Sequence, residues 1–332
     1  LGVRYVVEGS VRKSAARLRI AAQLVDARSG DCLWAEHYER AERDIFEIQD
    51  DIAQRVAGAI EPQLLDSVGS AAAQRGGRSM NGWELVARGS WHFHHVTPPS
   101  HDKARELFRQ ACRIDCELCE ARSWLARVNA GFVAYGWSAD AESDLREGLS
   151  AALEAVRLDA KNPYAHYALA IVSNYRDDFA QALRSADKAI ELNPCFALGS
   201  LVRGMAALYS GDAPGAIRAL ERGLQLNRYD PQNLVWYNVL ALAYLFDGKP
   251  GDALGRAAAA LAVRPTWRAA MRTAAAASAA AGQWPQAAEW SRRAAAAPAA
   301  SDALQPLWRC NPRWADDMRR LEHAALCGGA GH

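Results

Sequence analysis

The stretch that decides the fold is residues 163–194, PYAHYALAIVSNYRDDFAQALRSADKAIELNP. Its apolar and small residues recur at helical spacing in two runs, which the polar break Arg176-Asp177-Asp178 separates. The second run stops at Asn193-Pro194, where the proline cannot continue a helix. The small residues lie where two antiparallel helices have to approach each other closely. The stretch therefore predicts a helix–turn–helix unit.

The same pattern recurs along most of the chain, and later copies end at Asn227, at Arg264-Pro265 and near Pro298. Two earlier copies cover 104–114 and 126–158, the second with about ten extra residues in its middle. A helix–turn–helix unit of about 34 residues with small residues at these positions resembles the tetratricopeptide repeat family. The predicted fold class is mainly α, a tetratricopeptide-repeat superhelix (α-solenoid) of about six repeats over 81–300. We expect capping helices at 301–326 and a disordered tail at 327–332.

The amino-terminal part of the chain has a different pattern. Residues 3–40 contain three runs of period-two alternation joined by short polar turns, which predict a β-meander. Residues 44–65 carry apolar side chains at three- to four-residue spacing, which predicts an amphipathic helix. Residues 2–62, from GVRYVVEGSVRK to DIFEIQDDIAQRVAGAIEP, resemble the end of the TolB-like amino-terminal domain. We therefore expect 1–66 to be the carboxyl-terminal part of a truncated α+β module, followed by a linker at 67–80.

Composition narrows the classes of function. The net charge is +1, from 39 basic and 38 acidic residues, and gives no reason to expect nucleic acid as a partner. No run of 18 apolar residues is present, so we expect no association with a membrane. The seven scattered cysteines are odd in number and favour a reducing compartment, here the cytoplasm. The chain opens at Leu1 rather than at a methionine, and we interpret it as a fragment.

Cys112, Cys116 and Cys119 have the spacing that some enzymes use to hold an iron–sulfur cluster. Each also fits a position of the repeat, as a helix residue, a turn residue or the start of the next helix. Ordinary small buried or turn cysteines are therefore the favoured interpretation. A metal-binding protein built on these three thiols remains the alternative.

Neither the histidines of residues 92–95 nor the sequence motifs of the chain indicate catalysis. His92, His94 and His95 do not share one helix face well, so we interpret them as polar or half-buried helix residues. The chain lacks the GxSxG, GxxxxGK[ST] and GxGxxG motifs of nucleophilic and phosphate-binding sites. We accordingly predict no catalytic residue, no cofactor and no metal, and we expect this chain not to be an enzyme.

The first helix of each repeat presents one face to the inside of the superhelix, and this face is the candidate binding site. The residues assigned to it are Tyr164, Tyr167, Ile171, Asn174, Tyr175, Leu201, Met205, Asn238, Leu242 and Arg272. Aromatic rings supply contact area and amides can pair with a backbone, so the lining suits an extended or helical peptide. The alternative is that several of these rings only pack between neighbouring helices.

The resemblance implies a role in signalling. A TolB-like domain followed by tetratricopeptide repeats occurs in large bacterial signalling proteins, whose output domain is a class III adenylate or guanylate cyclase or a winged-helix regulator. We therefore expect a protein–protein interaction scaffold that regulates an output domain upstream of this chain, where any cyclase activity would lie. Its partner would be a protein or peptide, its own amino-terminal output domain, or a second copy. An envelope-associated repeat protein with a role in assembly is a further alternative.

Overall fold

A computed structural model describes residues 5–14, 17–27, 30, 32–41, 81–227, 233–297 and 312–327. The helix predicted at 44–65 and the linker predicted at 67–80 lie outside these residues. So do 301–311 of the predicted capping segment and all of the predicted tail except Cys327.

The amino-terminal residues form the predicted β-meander, in which β1 (Tyr5–Ser14), β2 (Arg17–Asp26) and β3 (Cys32–Ala41) pair antiparallel in the order β1-β2-β3. Leu24 lies opposite Trp34, and both side chains are buried. The period-two alternation places every second residue of β2 on this apolar face. The three-stranded meander is therefore confirmed.

The rest of the described chain is helical, and the helices follow the predicted repeats. They are α1 (Gly82–His94), α2 (Pro98–Ile114), α3 (Cys119–Ala134), α4 (Ala141–Leu158), α5 (Pro163–Tyr175), α6 (Phe179–Leu192), α7 (Ala197–Ser210), α8 (Ala213–Leu226), α9 (Asn233–Phe246), α10 (Pro250–Val263), α11 (Arg268–Ala280), α12 (Trp284–Ala296) and α13 (Pro312–Cys327).

Consecutive helices from α1 to α12 pack as six pairs, and each pair packs against the next. The first helices of neighbouring pairs also contact each other directly, so they form the inner layer of the array. The last described helix, α13, lies against α11 and α12. The α-solenoid predicted from the recurring small residues is confirmed. The extra length of the second repeat lies in its longer helices and in the loop between Ala134 and Ala141.

The turn inside each helix pair contains one residue with a positive φ angle. These residues are Val96, Gly136, Asp177, Gly211, Gly248 and Gly282. Four are glycines, which adopt this conformation without steric cost. The other two are Asp177 at φ +61° and Val96 at φ +47°. Val96 is strained, because its side chain is β-branched.

The two helices α7 and α8 can approach closely because glycines, which have no side chain, lie at their contact. A Cβ atom added to Gly204 on α7 would lie 2.5 Å from Cγ of Leu220 on α8. A Cβ atom added to Gly223 would lie 2.5 Å from Cγ of Leu201 in the same pair. The recurring small residues predicted close contacts between paired helices, and Gly204 and Gly223 lie at one of them.

Candidate functional site: a pocket inside the superhelix

The structure places the predicted binding residues on first helices, but it buries most of them. Only Tyr164 and Arg272 are half-buried, whereas the other eight are buried. Tyr164 packs against the ring of Phe196, with centroids 4.8 Å apart. Tyr167 is 2% exposed and Leu201 is fully buried, so in this conformation they pack between helices. Whether these residues bind a partner remains a prediction.

Four of the predicted residues line a pocket in the centre of the array. The lining comes from the first helices of five successive repeats and from the residue that follows α3: Phe93, Arg127, Ala130, Gly131, Ala134, Tyr135, Tyr167, Ile171, Tyr175, Met205, Val235 and Trp236. The cavity has a volume of about 40 Å³. We call it the lumen pocket. First helices from α1 to α9 reach one cavity because the array winds tightly.

A buried cation forms one wall of the lumen pocket. Arg127 lies in the middle of α3 and is 5% exposed. Its Cζ atom lies 4.8 Å from the ring centroid of Phe93, 4.7 Å from that of Trp124 and 5.4 Å from that of Tyr167. Cation–π contacts of this kind stabilise a desolvated guanidinium by about 0.5–2 kcal/mol each. The three rings therefore hold a positive charge at a fixed place in the interior.

Hydrogen-bond donors cluster on the same pocket. Burial raises the pKa of Tyr175 well above its usual value, and the neighbouring phenols of Tyr209, Tyr135 and Tyr167 raise it further. The hydroxyl group of Tyr175 therefore remains protonated near neutral pH and can act as a donor. Trp236 is 2% exposed, and none of the described residues supplies a hydrogen-bond acceptor for its indole Nε1. An N–H group buried without an acceptor costs free energy that an incoming acceptor would recover.

Two histidines beside the pocket stay neutral. Burial lowers the pKa of His101 to about 3, and the charge of Arg127 lowers it in the same direction. The pKa of His94 is also lowered to about 3, by burial and then by Arg127. His101 is fully buried, and its ring centroid lies 4.7 Å from that of Phe93. His92 and His94 are half-buried and His95 is exposed, as the sequence predicted. Arg127 is thus the fixed positive charge of this cluster.

Arg272 has an intramolecular partner. Its Nε and Nη2 atoms donate to Oε1 of Glu322 at 2.8 and 2.6 Å, which ties α11 to α13. Leu321 packs nearby against Ala275 and Ala279. A ligand that uses Arg272 would have to compete with Glu322.

The three cysteines of the metal alternative have different surroundings. Cys112 and Cys119 are buried, and Cys116 is exposed. Burial raises the pKa of Cys119 to about 11, and its Sγ atom donates to the carbonyl oxygen of Ala155 at 3.4 Å. A metal ligand needs the thiolate, which a raised pKa disfavours. Among the described residues, no group of three or more His, Cys, Asp or Glu side chains is placed to hold a metal ion. The geometry does not support the metal alternative.

The sequence reasoning missed the residues that give the pocket its chemistry, Arg127 and Trp236. A signal for Arg127 was present, because it is a charged residue inside the apolar run of α3. Nothing in the local pattern distinguishes Trp236 from an ordinary core residue. Among the described helices, none has the length and apolar character needed to cross a bilayer.

No family model matches the chain. A curated relative, "Putative adenylate cyclase 3" of Rhizobium meliloti strain 1021, is 31% identical over 175 residues. The match covers 53% of this chain and 30% of that protein, so the chain spans less than a third of the relative's length.

Solved structures support the fold. The human IFIT1 dimer with m7Gppp-AAAA has a TM-score of 0.60 and 15% identity, over 80% of this chain and 62% of that chain. The Cut9–Hcn1 hetero-tetramer of the APC/C has a TM-score of 0.57 and 15% identity, over 83% and 48% of the two chains. At such low identity these likenesses show the fold alone. The array is a tetratricopeptide-like scaffold, an architecture suited to binding proteins or peptides.

Proposed function

We propose that this chain is the partner-binding, regulatory part of a bacterial signalling protein whose output is cyclic nucleotide formation. The observation that carries the proposal is the 31% identity over 175 residues to a protein named as an adenylate cyclase. The helical scaffold accounts for the regulatory part of the role, since stacked helix pairs expose a large surface for contacts with other proteins. Cyclase chemistry then belongs to a separate output domain, and the cytoplasm supplies its substrate ATP.

The proposed partner surface lies at the amino-terminal end of α5, around Tyr164. Tyr164 at the start of α5 is half-buried, and it continues a row of rings with Trp124 and Phe196. Aromatic side chains at such a surface are typical anchors of protein interfaces. The partner is a protein, and the output domain of the same protein is the favoured one. Self-association is the competing mode.

The test uses the whole protein in which this chain occurs. We expect it to form cyclic AMP from ATP, whereas residues 1–332 alone form none. Gly204→Leu should disrupt the array, because even a Cβ atom at this position meets Leu220. It should change the rate of cyclic AMP formation several-fold. Gly255→Ala is the matched control, since a Cβ atom at Gly255 meets nothing within 4 Å.

A second variant probes the surface rather than the fold. Tyr164→Ala should change the rate in the same direction as Gly204→Leu while circular dichroism stays unchanged. Absence of cyclic AMP formation by the whole protein would contradict the cyclase assignment. A rate that neither variant alters would contradict the regulatory role of the array.

A further inference from the structure

We propose that the helical array has a second, open form, in which the first repeat (α1 and α2) separates from the fifth (α9 and α10). The structure shows the closed form, in which the side chain of Arg264 reaches the turn at Val96; we call this contact the seam. Opening at the seam makes the inner faces of α1 and α9 accessible. The inference goes beyond the signalling role proposed above, because it names the part of the array that moves.

The seam is much thinner than the contacts between neighbouring repeats. Each repeat packs closely against the next, whereas among the described helices α1 and α2 do not pack closely against α9 or α10. Across the seam, Nη2 of Arg264 donates a hydrogen bond to the carbonyl oxygen of Val96 at 3.4 Å. The net contribution of one such bond changes an equilibrium constant by about tenfold or less. The first and fifth repeats can therefore part with a far smaller loss of contacts than two neighbouring repeats.

The turns on both sides of the seam are held by hydrogen bonds that the seam does not use. The backbone N–H of Arg264 donates to the carbonyl oxygen of Ala260 at 3.1 Å, and its own carbonyl oxygen accepts from the N–H of Trp267 at 3.1 Å. The backbone N–H of Val96 donates to the carbonyl oxygen of Phe93 at 3.3 Å. The seam itself joins the guanidinium of Arg264 to the carbonyl oxygen of Val96. It can therefore break by rotation of one side chain while both turns stay folded.

The closed form buries groups from both sides of the seam. Phe93 of α1 and Trp236 of α9 are each 2% exposed, and both line the lumen pocket. None of the described residues supplies an acceptor for the indole Nε1 of Trp236. This N–H group gains a hydrogen bond when bulk water reaches it, and the gain favours opening.

The apolar lining of the pocket opposes the opening. Met205 and Val235 are buried there, and exposing apolar side chains to water is unfavourable. We therefore expect the closed form to predominate, with the open form as a minor state of about 0.1–10%. The seam adjusts this balance, because its hydrogen bond exists in the closed form alone.

The seam thus acts as an autoinhibitory contact. Four of the residues that the sequence assigned to partner binding, Tyr167, Ile171, Tyr175 and Met205, line the lumen pocket and are buried in the closed form. A partner that contacts them can bind only the open form. Such a partner shifts the equilibrium toward that form, and the seam weakens its apparent affinity.

The test measures the distance across the seam in the 332-residue chain. Nitroxide labels replace the exposed residues Pro99 and Thr266, which lie close to Val96 and Arg264 in sequence. The labels are attached to p-acetylphenylalanine, so the native cysteines stay unlabelled. Double electron–electron resonance should give a short distance for the closed form and a second, longer distance for the open form. Labels at Thr266 and the exposed Pro285, which flank one helix pair, are the control and should give a single distance.

Variants connect the longer distance to the seam. Arg264→Ala should raise the fraction of the longer distance about threefold or more, because it removes a bond from the closed form alone. Arg256→Ala is the matched control on the same helix and should leave the fraction unchanged, since Arg256 lies beside Glu221 of α8. Urea below the unfolding transition should raise the fraction in the unsubstituted chain, because the open form exposes more surface. The urea series keeps the test independent of whether Arg264→Ala folds.

A second measurement follows the lumen pocket itself. In protein labelled with 5-fluorotryptophan, the fluorine signal that is absent from Trp236→Phe belongs to Trp236. This signal should have a minor second component, and Arg264→Ala should increase that component by the same factor as the longer distance.

The proposal is overturned if labels at Pro99 and Thr266 give one distance in every sample, including Arg264→Ala and the urea series. An equal rise in Arg256→Ala also overturns it. So does a longer distance that appears only together with loss of the helical circular dichroism signal, because global unfolding then accounts for it. None of these outcomes bears on cyclic AMP formation by the whole protein, so this test and that of the proposed function fail separately.

Discussion

Arg264 donates a hydrogen bond from Nη2 to the carbonyl oxygen of Val96 at 3.4 Å, across 168 positions of the chain. Arg264 caps the end of α10 in the fifth repeat, and Val96 lies in the turn of the first. The array therefore curls until these two repeats touch. This closure narrows the lumen and explains why the first helices of five repeats share one pocket.

Removing this contact should loosen the closure. We expect Arg264→Ala to lower the free energy of unfolding by about 1 kcal/mol or less, the usual net value of one hydrogen bond. Amide hydrogens at the end of α1 should exchange faster, because the turn at Val96 loses its partner. Arg256→Ala is the control. It removes an arginine from α10 whose Nη2 atom lies 3.8 Å from Oε1 of Glu221 on α8, so the contact with Val96 is left intact. Identical exchange in both variants would show that the contact does not hold the array closed.

Substitutions in the inner layer of first helices should lower the free energy of unfolding as substitutions in a hydrophobic core do. We expect Leu201→Ala to cost about 2–5 kcal/mol, because a fully buried leucine leaves a cavity. Tyr164→Ala should cost less, since that side chain is only half-buried. Urea denaturation followed by circular dichroism measures both. A Leu201→Ala midpoint equal to that of the native chain would show that the inner layer is accessible in solution.

The fold could be predicted because each repeat has a local sequence pattern that marks its helices and their contacts. Small residues such as Gly204 mark helix contacts, and Asn193-Pro194 marks where a helix ends. The pocket could not be predicted in the same way. It depends on how far each repeat rotates relative to the last, and that angle is set by packing summed over five repeats. Arg127 and Trp236 are 109 positions apart and line the same pocket only because of that rotation.

Two glycines, Gly204 on the first helix of the fourth repeat and Gly255 on the second helix of the fifth repeat, should respond oppositely to alanine. Gly204→Ala on α7 forces a Cβ atom to within 3.1 Å of the carbonyl oxygen of Ala216 as well as against Leu220. We expect it to destabilise the chain by about 1–3 kcal/mol. Gly255→Ala on α10 meets open space and should stabilise by about 0.5–1 kcal/mol, because glycine is unfavourable inside a helix. Midpoints that move in the same direction would contradict the helix packing.

His101 should make the chain sensitive to acid. Its pKa falls from the ordinary 6.5 to about 3 in the folded chain, through burial and then the charge of Arg127. Between these values the unfolded chain binds a proton that the folded chain excludes, so stability rises with pH over this window and is lost as pH falls. His101→Phe should reduce the slope of unfolding free energy against pH by at most about 1.4 kcal/mol per pH unit.

His94 has a similarly lowered pKa, so the double variant with His94→Phe should have a still smaller slope. Urea midpoints between pH 4 and 6.5, at matched ionic strength, measure these slopes. A His101→Phe slope equal to that of the native chain would show that His101 takes up its proton without unfolding, and that the interior beside Arg127 tolerates a second charge.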